Sequence, residues 1–299
     1  MVRLATFNAE NLFARYNFKR HQDPVNSDCF TINQTAYDIN NDDEKRITAK
    51  AIKEVDADIL ALQEIENLRV LDTFVSEYLQ DMGYKYRILV DALDPRSIDV
   101  ALISKYPIIH IRTWRSERNA ANTAFLFSRD CLEVDIDVNG KSLTVYVNHF
   151  KSMAGGRDKT YARRKEQADK VMSIVEKRWA DNQYQGNYAV VGDLNDYLED
   201  HSSLIELVSY QGLENISERL PEEERWTHHW ARGKEYRQLD YILLSPQLAE
   251  NNANSLPQVM RKGLPSRAEK YQGPRFDYIG DNRPKASDHC PLYIDIELS

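Results

Sequence analysis

The stretch Ala286-Ser287-Asp288-His289-Cys290-Pro291 stands directly before Leu292-Tyr293-Ile294-Asp295-Ile296-Glu297-Leu298, near the C-terminal end of the sequence. The second segment alternates, with Leu292, Ile294, Ile296 and Leu298 on one face, as a half-buried strand requires. An acid next to a histidine therefore sits at the mouth of a strand. One of the two can hold a divalent cation through oxygen, and the other can move a proton near neutral pH. Alone, such a pair is more often a surface turn. Its partners decide the reading. Asn8, Gln63-Glu64, Asn148-His149, Gly192-Asp193-Leu194-Asn195 and Leu239-Asp240-Tyr241 each close a predicted strand, so strands lying side by side would bring these groups to one rim.

Working outward, Arg237 to Leu244 reads as a strand with Asp240 enclosed by apolar neighbours, where a lone carboxylate needs a partner such as histidine. Tyr188 to Gly192 is a short apolar strand, and the two-residue spacing after it puts Asp193 and Asn195 on one side. Gly155-Gly156-Arg157 predicts a turn into a long helix. Its buried face is Ala168, Val171, Met172, Val175 and Trp179, and Arg163, Arg164 and Lys165 mark its first turn, where cations oppose the macrodipole. Asn139-Gly140 is a hairpin signal. It joins Cys131 to Val138, with Glu133, Asp135 and Asp137 on a wet face, to Ser142 to His149, whose inward row Leu143, Val145, Val147 ends in His149. Gly140-Lys141-Ser142 is no P-loop, because Asp135 stands where the first glycine belongs.

Toward the N-terminus, Val2 to Phe7 alternates as a strand that delivers Asn8. Residues 14 to 42 lack periodicity and read as a long loop over the site. Asp42-Asp43 offers an N-cap to a helix faced by Ile47, Ala51, Ile52 and Val55. Ile59 to Leu62 is continuously apolar, as in a strand buried on both faces, and ends in Gln63-Glu64, where a buried carboxylate is costly unless it meets a cation. Leu68, Leu71, Val75, Tyr78, Leu79 and Met82 predict a second core helix. Lys85 to Val90, Asp99 to Ser104, Ile108 to Trp114 and Ala124 to Phe127 are further strands. Arg96 and Asp99 flank one of them, as a surface salt bridge or as a substrate clamp. Residues 251 to 287 read as a second long, partly basic loop.

A chain of 299 residues, 42% hydrophobic and 29% charged, can bury a large core. With no linker, and site residues spread from Asn8 to His289, a single domain over 1–299 is expected. No run is apolar enough to span a bilayer and Met1-Val2-Arg3-Leu4 leads into a strand without a signal-peptide core, which predicts a cytoplasmic protein. Cys29, Cys131 and Cys290 lack CxxC spacing and read as reduced packing residues. The net charge of −8 excludes a protein that coats nucleic acid by bulk electrostatics, though not an enzyme with a local metal site.

Taken in order, Phe7-Asn8, Leu62-Gln63-Glu64, Asn148-His149, Gly192-Asp193-Leu194-Asn195, Leu239-Asp240-Tyr241 and Ser287-Asp288-His289 resemble the motifs of the endonuclease/exonuclease/phosphatase superfamily. The resemblance covers essentially the whole chain. It implies an α/β (α+β) fold of the deoxyribonuclease-I type: a four-layered sandwich of two mostly antiparallel sheets, helices outside, with the site at one edge. It implies Mg²⁺, with Mn²⁺ or Ca²⁺ as alternatives, held by Glu64 with Asn8 and Asp288. It implies catalytic roles for His149, Asp193, Asn195, Asp240 and His289, the last oriented by Asp240. Asn148-His149-Phe150-Lys151-Ser152 looks most like bacterial extracellular-nuclease-type members, from which this chain departs in lacking a secretion signal and paired cysteines. Arg96, Asn148, Lys151 and basic residues between Arg261 and Arg283 are expected to bind substrate phosphate. The leading expectation is a monomeric nuclease or phosphodiesterase acting on DNA or RNA by in-line attack of water. A phosphatase or phosphodiesterase for a small-molecule, lipid or inositol phosphate is the alternative. A catalytically inactive binding module is the third reading, opposed by the intact Glu64, Asp193, Asp240 and His289.

Overall fold

Two six-stranded sheets pack face to face in a computed structural model that describes residues 1–12 and 42–299; the loop expected over 14 to 42 lies outside the described residues except for Asp42. The elements run β1 (Val2–Leu12), α1 (Asp42–Val55), β2 (Ile59–Ile65), α2 (Leu68–Tyr78), β3 (Tyr86–Leu89), β4 (Asp99–Ser104), β5 (Ile108–Thr113), β6 (Cys131–Val138), β7 (Lys141–His149) and α3 (Arg157–Trp179). They continue with β8 (Tyr188–Asp193), α4 (Ile205–Val208), β9 (Glu214–Asn215), β10 (His228–Trp230), β11 (Glu235–Arg237), β12 (Asp240–Leu244), α5 (Pro246–Asn251), β13 (Gln258–Val259) and β14 (Leu292–Ile296). One sheet has the order β13-β14-β1-β2-β4-β3 and the other β5-β6-β7-β8-β12-β9.

Each sheet is antiparallel except for one central parallel pair, β1 with β2 and β7 with β8. A parallel pair needs a long crossover, and α1 and α3 lie in those connections. The same pairing carries the chemistry, because parallel neighbours end on the same side: Asn8 lies beside Gln63, and His149 beside Asp193. Inward residues of both sheets form one core, including Leu4, Ile59, Ala61, Val100, Leu102, Val145, Val147, Val191 and Ile242. Leu60 and Leu62 turn the other way, under Ile47, Ile52, Leu71 and Val75 of the two helices. That double burial explains why Ile59 to Leu62 is apolar at every position. Tyr146, Tyr188 and Val190 meet Ala168, Val171 and Val175 of α3 on the opposite outer face.

Several expectations are corrected. Asp42 and Asp43 lie inside the first turn of α1, where acids favour the helix dipole. Leu68 is 37% exposed because it opens α2, whose cap is Asn67, accepting from Val70 N at 3.0 Å. Ala124 to Phe127 forms no strand and has only a bridge from Phe125 to Arg118. Glu133 and Asp135 are buried, not wet: α3 covers them, Arg178 pairs with both, and Trp114 Nε1 donates to Glu133 at 2.9 Å. Because α3 begins at Arg157, Arg163, Arg164 and Lys165 lie beyond its first turn. Arg96 pairs with Asp94 at 3.2 Å, whereas Asp99 is buried and accepts from Ala92 N. The predicted strand from Arg237 to Leu244 is broken into β11 and β12, and β13 interrupts the second long loop. Cys131 and Cys290 are buried and unpaired, as expected, while Cys29 lies outside the described residues. No helix among the described residues is long and apolar enough to cross a membrane.

Arg164 is fully buried because Asp196 is there to meet it. Asp196 accepts from Ser203 N at 2.9 Å, Ser203 Oγ at 2.6 Å, Arg157 Nε at 2.7 Å and Arg164 Nε at 3.4 Å. Asp196→Ala leaves Arg164 buried without its counter-charge and should cost about 3–5 kcal/mol, read as a lower urea midpoint. Burial alone would raise the Asp196 pKa, but the Ser203 and Arg157 hydrogen bonds and the Arg164 charge hold it below the usual range. Its stabilisation is thus complete above the unfolded carboxylate pKa of about 4 and is lost as pH falls through the depressed folded value. Equal midpoints for the two proteins at pH 7 would refute the assignment.

Candidate active site

Asn8 is buried near the end of β1, and its two amide atoms do different work. Nδ2 donates to Asp193 Oδ2 at 3.0 Å, tying the two sheets together, while Oδ1 accepts from Glu10 N at 3.0 Å. Glu64 sits where the pairing of β2 with β4 shifts register, with φ of 64°, and its Oε2 accepts from Asn11 N at 3.1 Å. Such a bulge re-aims a side chain. Glu10 and Asn11 also have positive φ, at 47° and 64°, so left-handed non-glycine residues cluster at this rim, as they do at functional sites.

On the second sheet, Gly192 has φ of 135°, and a Cβ there would lie 1.9 Å from the Asn148 carbonyl oxygen. Only glycine lets β8 approach β7 this closely. Gly192→Ala should destabilise the protein by about 3 kcal/mol or more, through the strained φ and the displaced carbonyl. A thermal midpoint unchanged by the substitution would contradict this. The approach sets His149 beside Asp193, with Nε2 3.5 Å from Asp193 Oδ2 and 3.9 Å from Glu64 Oε1. Asn195 folds back with φ of 53°, giving its N–H to Asp193 Oδ1 and its Nδ2 to Asp193 Oδ2, both at 2.9 Å.

The Asp288-His289 segment closes the ring of groups. Ser287 Oγ donates to Asn8 O at 2.7 Å and accepts from His289 N at 2.9 Å. Asp288 N donates to Glu10 Oε2 at 2.8 Å, and Lys285 pairs with Glu10 at 2.7 Å. His289 Nδ1 lies 2.8 Å from Asp240 Oδ2, and its Nε2 lies 3.8 Å from Asp193 Oδ2. Thr227 Oγ1 donates to the same Asp240 oxygen at 2.7 Å.

Electrostatics separates these groups. Burial pushes the Asp193 pKa up to about 7, with help from the Asp240 charge and against the opposing effects of His289, Asn8 and Asn195. Burial would lower that of His289, but the Asp240 and Asp193 carboxylates outweigh it and raise it well above the ordinary value. His149 is pushed well down by burial and then by the nearby Arg129 charge, which leaves a neutral imidazole. Burial and the Asp288 charge raise Glu64. Asp288 itself is held well below the usual range, because Lys285 and His228 outweigh its burial.

Asn8, Glu64, Arg96, His149, Asp193, Asn195, Asp288 and His289 line one polar cavity of about 290 Å³, with Asp240 behind His289. Asn148 is not brought to it. On β7 it alternates with His149, so its amide turns to the outer face and donates to Tyr146 O at 3.1 Å. Lys151 does not line the cavity, and its pKa is lowered by burial and by Arg129 and Arg96. Most of the expected basic loop residues are occupied: Arg261 on Trp226 O, Lys262 on Glu54, Arg275 on Ala268 O and Arg283 on Glu44. Residues the sequence reading missed include Glu10, Thr227, His228, Lys285 and Arg129, whose buried guanidinium donates to Asp94 and to Phe150 O. Asn8, Glu64 and Asp288 suit a hard divalent cation, because Glu64 is a desolvated carboxylate raised by its neighbouring acid. Among the described residues, two further sets have ligand atoms within 4.8 Å of one another: His228-Asp288-His289 and Asp193-Asp240-His289.

The family model described as Endonuclease/Exonuclease/phosphatase family matches residues 3–298. The chain is similar in structure to truncated Caenorhabditis elegans TDP2, with TM-score 0.61 and 16% identity over 100% of this chain and 97% of that one. The human Nocturnin catalytic domain, with a bound sulfate anion, gives 0.62 and 16% over 100% and 94%. The Bacteroides thetaiotaomicron mannosyl-6-phosphatase gives 0.65 and 16% over 100% of both chains. At these identities the likeness shows the fold. No curated protein is significantly similar in sequence. With its family match running almost end to end, the chain belongs to the endonuclease/exonuclease/phosphatase family of phosphoester hydrolases.

Proposed function

We propose that this chain is a Mg²⁺-dependent nuclease or phosphodiesterase, a cytoplasmic monomer working as one domain over 1–299, that cleaves DNA or RNA by in-line attack of water. The observation that carries the reading is the line Asp240–His289–Asp193, at 2.8 and 3.8 Å, beside a cavity walled by Asn8, Asn195 and His149. It pairs a carboxylate raised to about 7 with an imidazole raised well above its ordinary value, two groups suited to take and to give a proton. Asn8, Glu64 and Asp288 would hold a divalent ion, whose bound charge would neutralise the phosphoryl oxygens and leaving group. Asn195 and Asn8 orient Asp193, and the neutral His149, Arg96 and Arg129 offer N–H donors to the charge that grows on the phosphoryl group.

A small-molecule phosphoester is the second reading. It is favoured by the modest cavity and by the loop cations being tied to protein groups. A hydrolysis panel with Mg²⁺ and Mn²⁺ across plasmid DNA, RNA, bis-p-nitrophenyl phosphate, inositol phosphates and sphingomyelin separates the two, with plasmid or RNA cleavage expected. Excess EDTA should abolish turnover. Glu64→Gln should raise the Mg²⁺ concentration for half-maximal rate by roughly tenfold or more, since a neutral amide cannot replace the carboxylate charge. Full activity in EDTA would remove the metal from the mechanism.

A further inference from the structure

The hairpin β10–β11 brings a histidine to the site that the reading above leaves unused. Its first strand is stitched to the Asp288-His289 segment by backbone bonds. His229 N donates to Asp288 O at 2.9 Å, Cys290 N donates to Thr227 O at 2.6 Å, and His228 and His289 form an antiparallel bridge. This seats the two imidazoles together, ring centroids 4.5 Å apart and planes tilted by 51°. His228 Nε2 lies 3.7 Å from Asp288 Oδ2, and its side chain is only 15% exposed. A ring nitrogen from each histidine and an Asp288 oxygen fall within 4.8 Å of one another.

We infer that His228, Asp288 and His289 form a second cation site, one that takes a borderline divalent ion of the zinc type and switches the enzyme off when filled. Two imidazoles and a carboxylate are the donors such ions prefer, whereas Mg²⁺ takes oxygen ligands and keeps its water. His289 Nδ1 is already engaged by Asp240, so Nε2 is the nitrogen left to ligate. A carboxylate behind a ligating imidazole is also the arrangement that orients the ring and strengthens it as a donor. Ligand atoms of a tetrahedral zinc site stand roughly 3.4 Å apart. The 3.7 Å from His228 to Asp288 is close to that, and the third ligand atom lies within 4.8 Å of both.

The inhibitory consequence follows from what is shared. Asp288 belongs both to the oxygen set with Asn8 and Glu64 and to the imidazole set with His228, so the two ions compete for one carboxylate. An ion on His289 Nε2 also displaces the proton that this nitrogen would give to the leaving oxygen. Inhibition rests on the phosphoesterase reading; binding at the three residues does not.

The test uses the full chain stripped of metal and titrated with Co²⁺, whose visible absorption reports nitrogen ligation directly. Wild type should show a band that His228→Phe loses while keeping an aromatic ring against His289. His228→Asn, a second variant without an imidazole, must show the same loss with the thermal midpoint of wild type. In parallel, Zn²⁺ is titrated against bis-p-nitrophenyl phosphate hydrolysis in saturating Mg²⁺, each protein normalised to its own zinc-free rate. The Zn²⁺ concentration for half inhibition should rise by about tenfold or more in both variants. A Co²⁺ band unchanged in both variants overturns the site. A band lost with zinc sensitivity unchanged overturns the switch. If no phosphoester is hydrolysed at all, the function proposed above fails, and the Co²⁺ spectrum still decides the site.

Discussion

His289→Ala should lower kcat by about a thousandfold, and Asp240→Asn should lower it nearly as far, with the double variant scarcely worse than either single change. The ground is the 2.8 Å contact between His289 Nδ1 and Asp240 Oδ2. That contact fixes the tautomer, keeps Nε2 facing the cavity, and stabilises the protonated ring. An amide at 240 can present N–H to Nδ1 and so hold the ring the wrong way round. Thr227 already donates to the same carboxylate oxygen and would compete with a reoriented amide. Because the two side chains act as one unit, their defects should not multiply. His289 is mostly buried, so unfolding midpoints are measured alongside the rates to separate chemistry from folding. Multiplying defects, with all midpoints at the wild-type value, would show that the two residues act independently.

How far the site was legible depended on whether its signal was local. The hairpin at Asn139-Gly140 was readable because both residues adopt left-handed φ, at 56° and 87°, which few other pairs tolerate. Strand ends carrying Asn8, Glu64, His149 and Asp193 were readable because apolar runs stopped at them, and parallel pairing then aligned those ends, while Asp288 leads into β14, which runs antiparallel to β1. Asn148 does not line the cavity, because the alternation that turns His149 inward turns its neighbour outward. Glu133 and Asp135 looked wet because their neutralising partner, Arg178, is far away on α3 and no local pattern announces it. Arg129 and His228 were invisible for the same reason. Each sits in a segment whose sequence reads as ordinary loop or edge, and only the packing of remote strands gives it a role.

Asp193→Asn should be as damaging as loss of His289, about a thousandfold in kcat, and it should also change the shape of the pH profile. Asp193 receives three hydrogen bonds, from Asn8 Nδ2, Asn195 N and Asn195 Nδ2. A carboxylate can accept all of them. An amide must turn an NH₂ toward one of these donors, so the substitution removes the base and disturbs its mount together. Burial, reinforced by the Asp240 charge, pushes the Asp193 pKa up to about 7. A base works only when ionised, so kcat/KM should rise with pH through an acidic limb near that value. A cation at Glu64 and Asp288 pulls the limb lower by stabilising the ionised form. His289 is raised well above its ordinary pKa by Asp240 and Asp193 despite its burial, so the loss of its proton is expected to shape the alkaline side. On the function proposed above, these signs would assign the proton of the attacking water to Asp193 and the proton delivered to the leaving oxygen to His289. The apparent values belong to the coupled pair, so the assignment rests on which limb each substitution removes. Residual activity of Asp193→Asn should lack the acidic limb, and that of His289→Ala should lack the alkaline one. The reverse pattern would exchange the two roles.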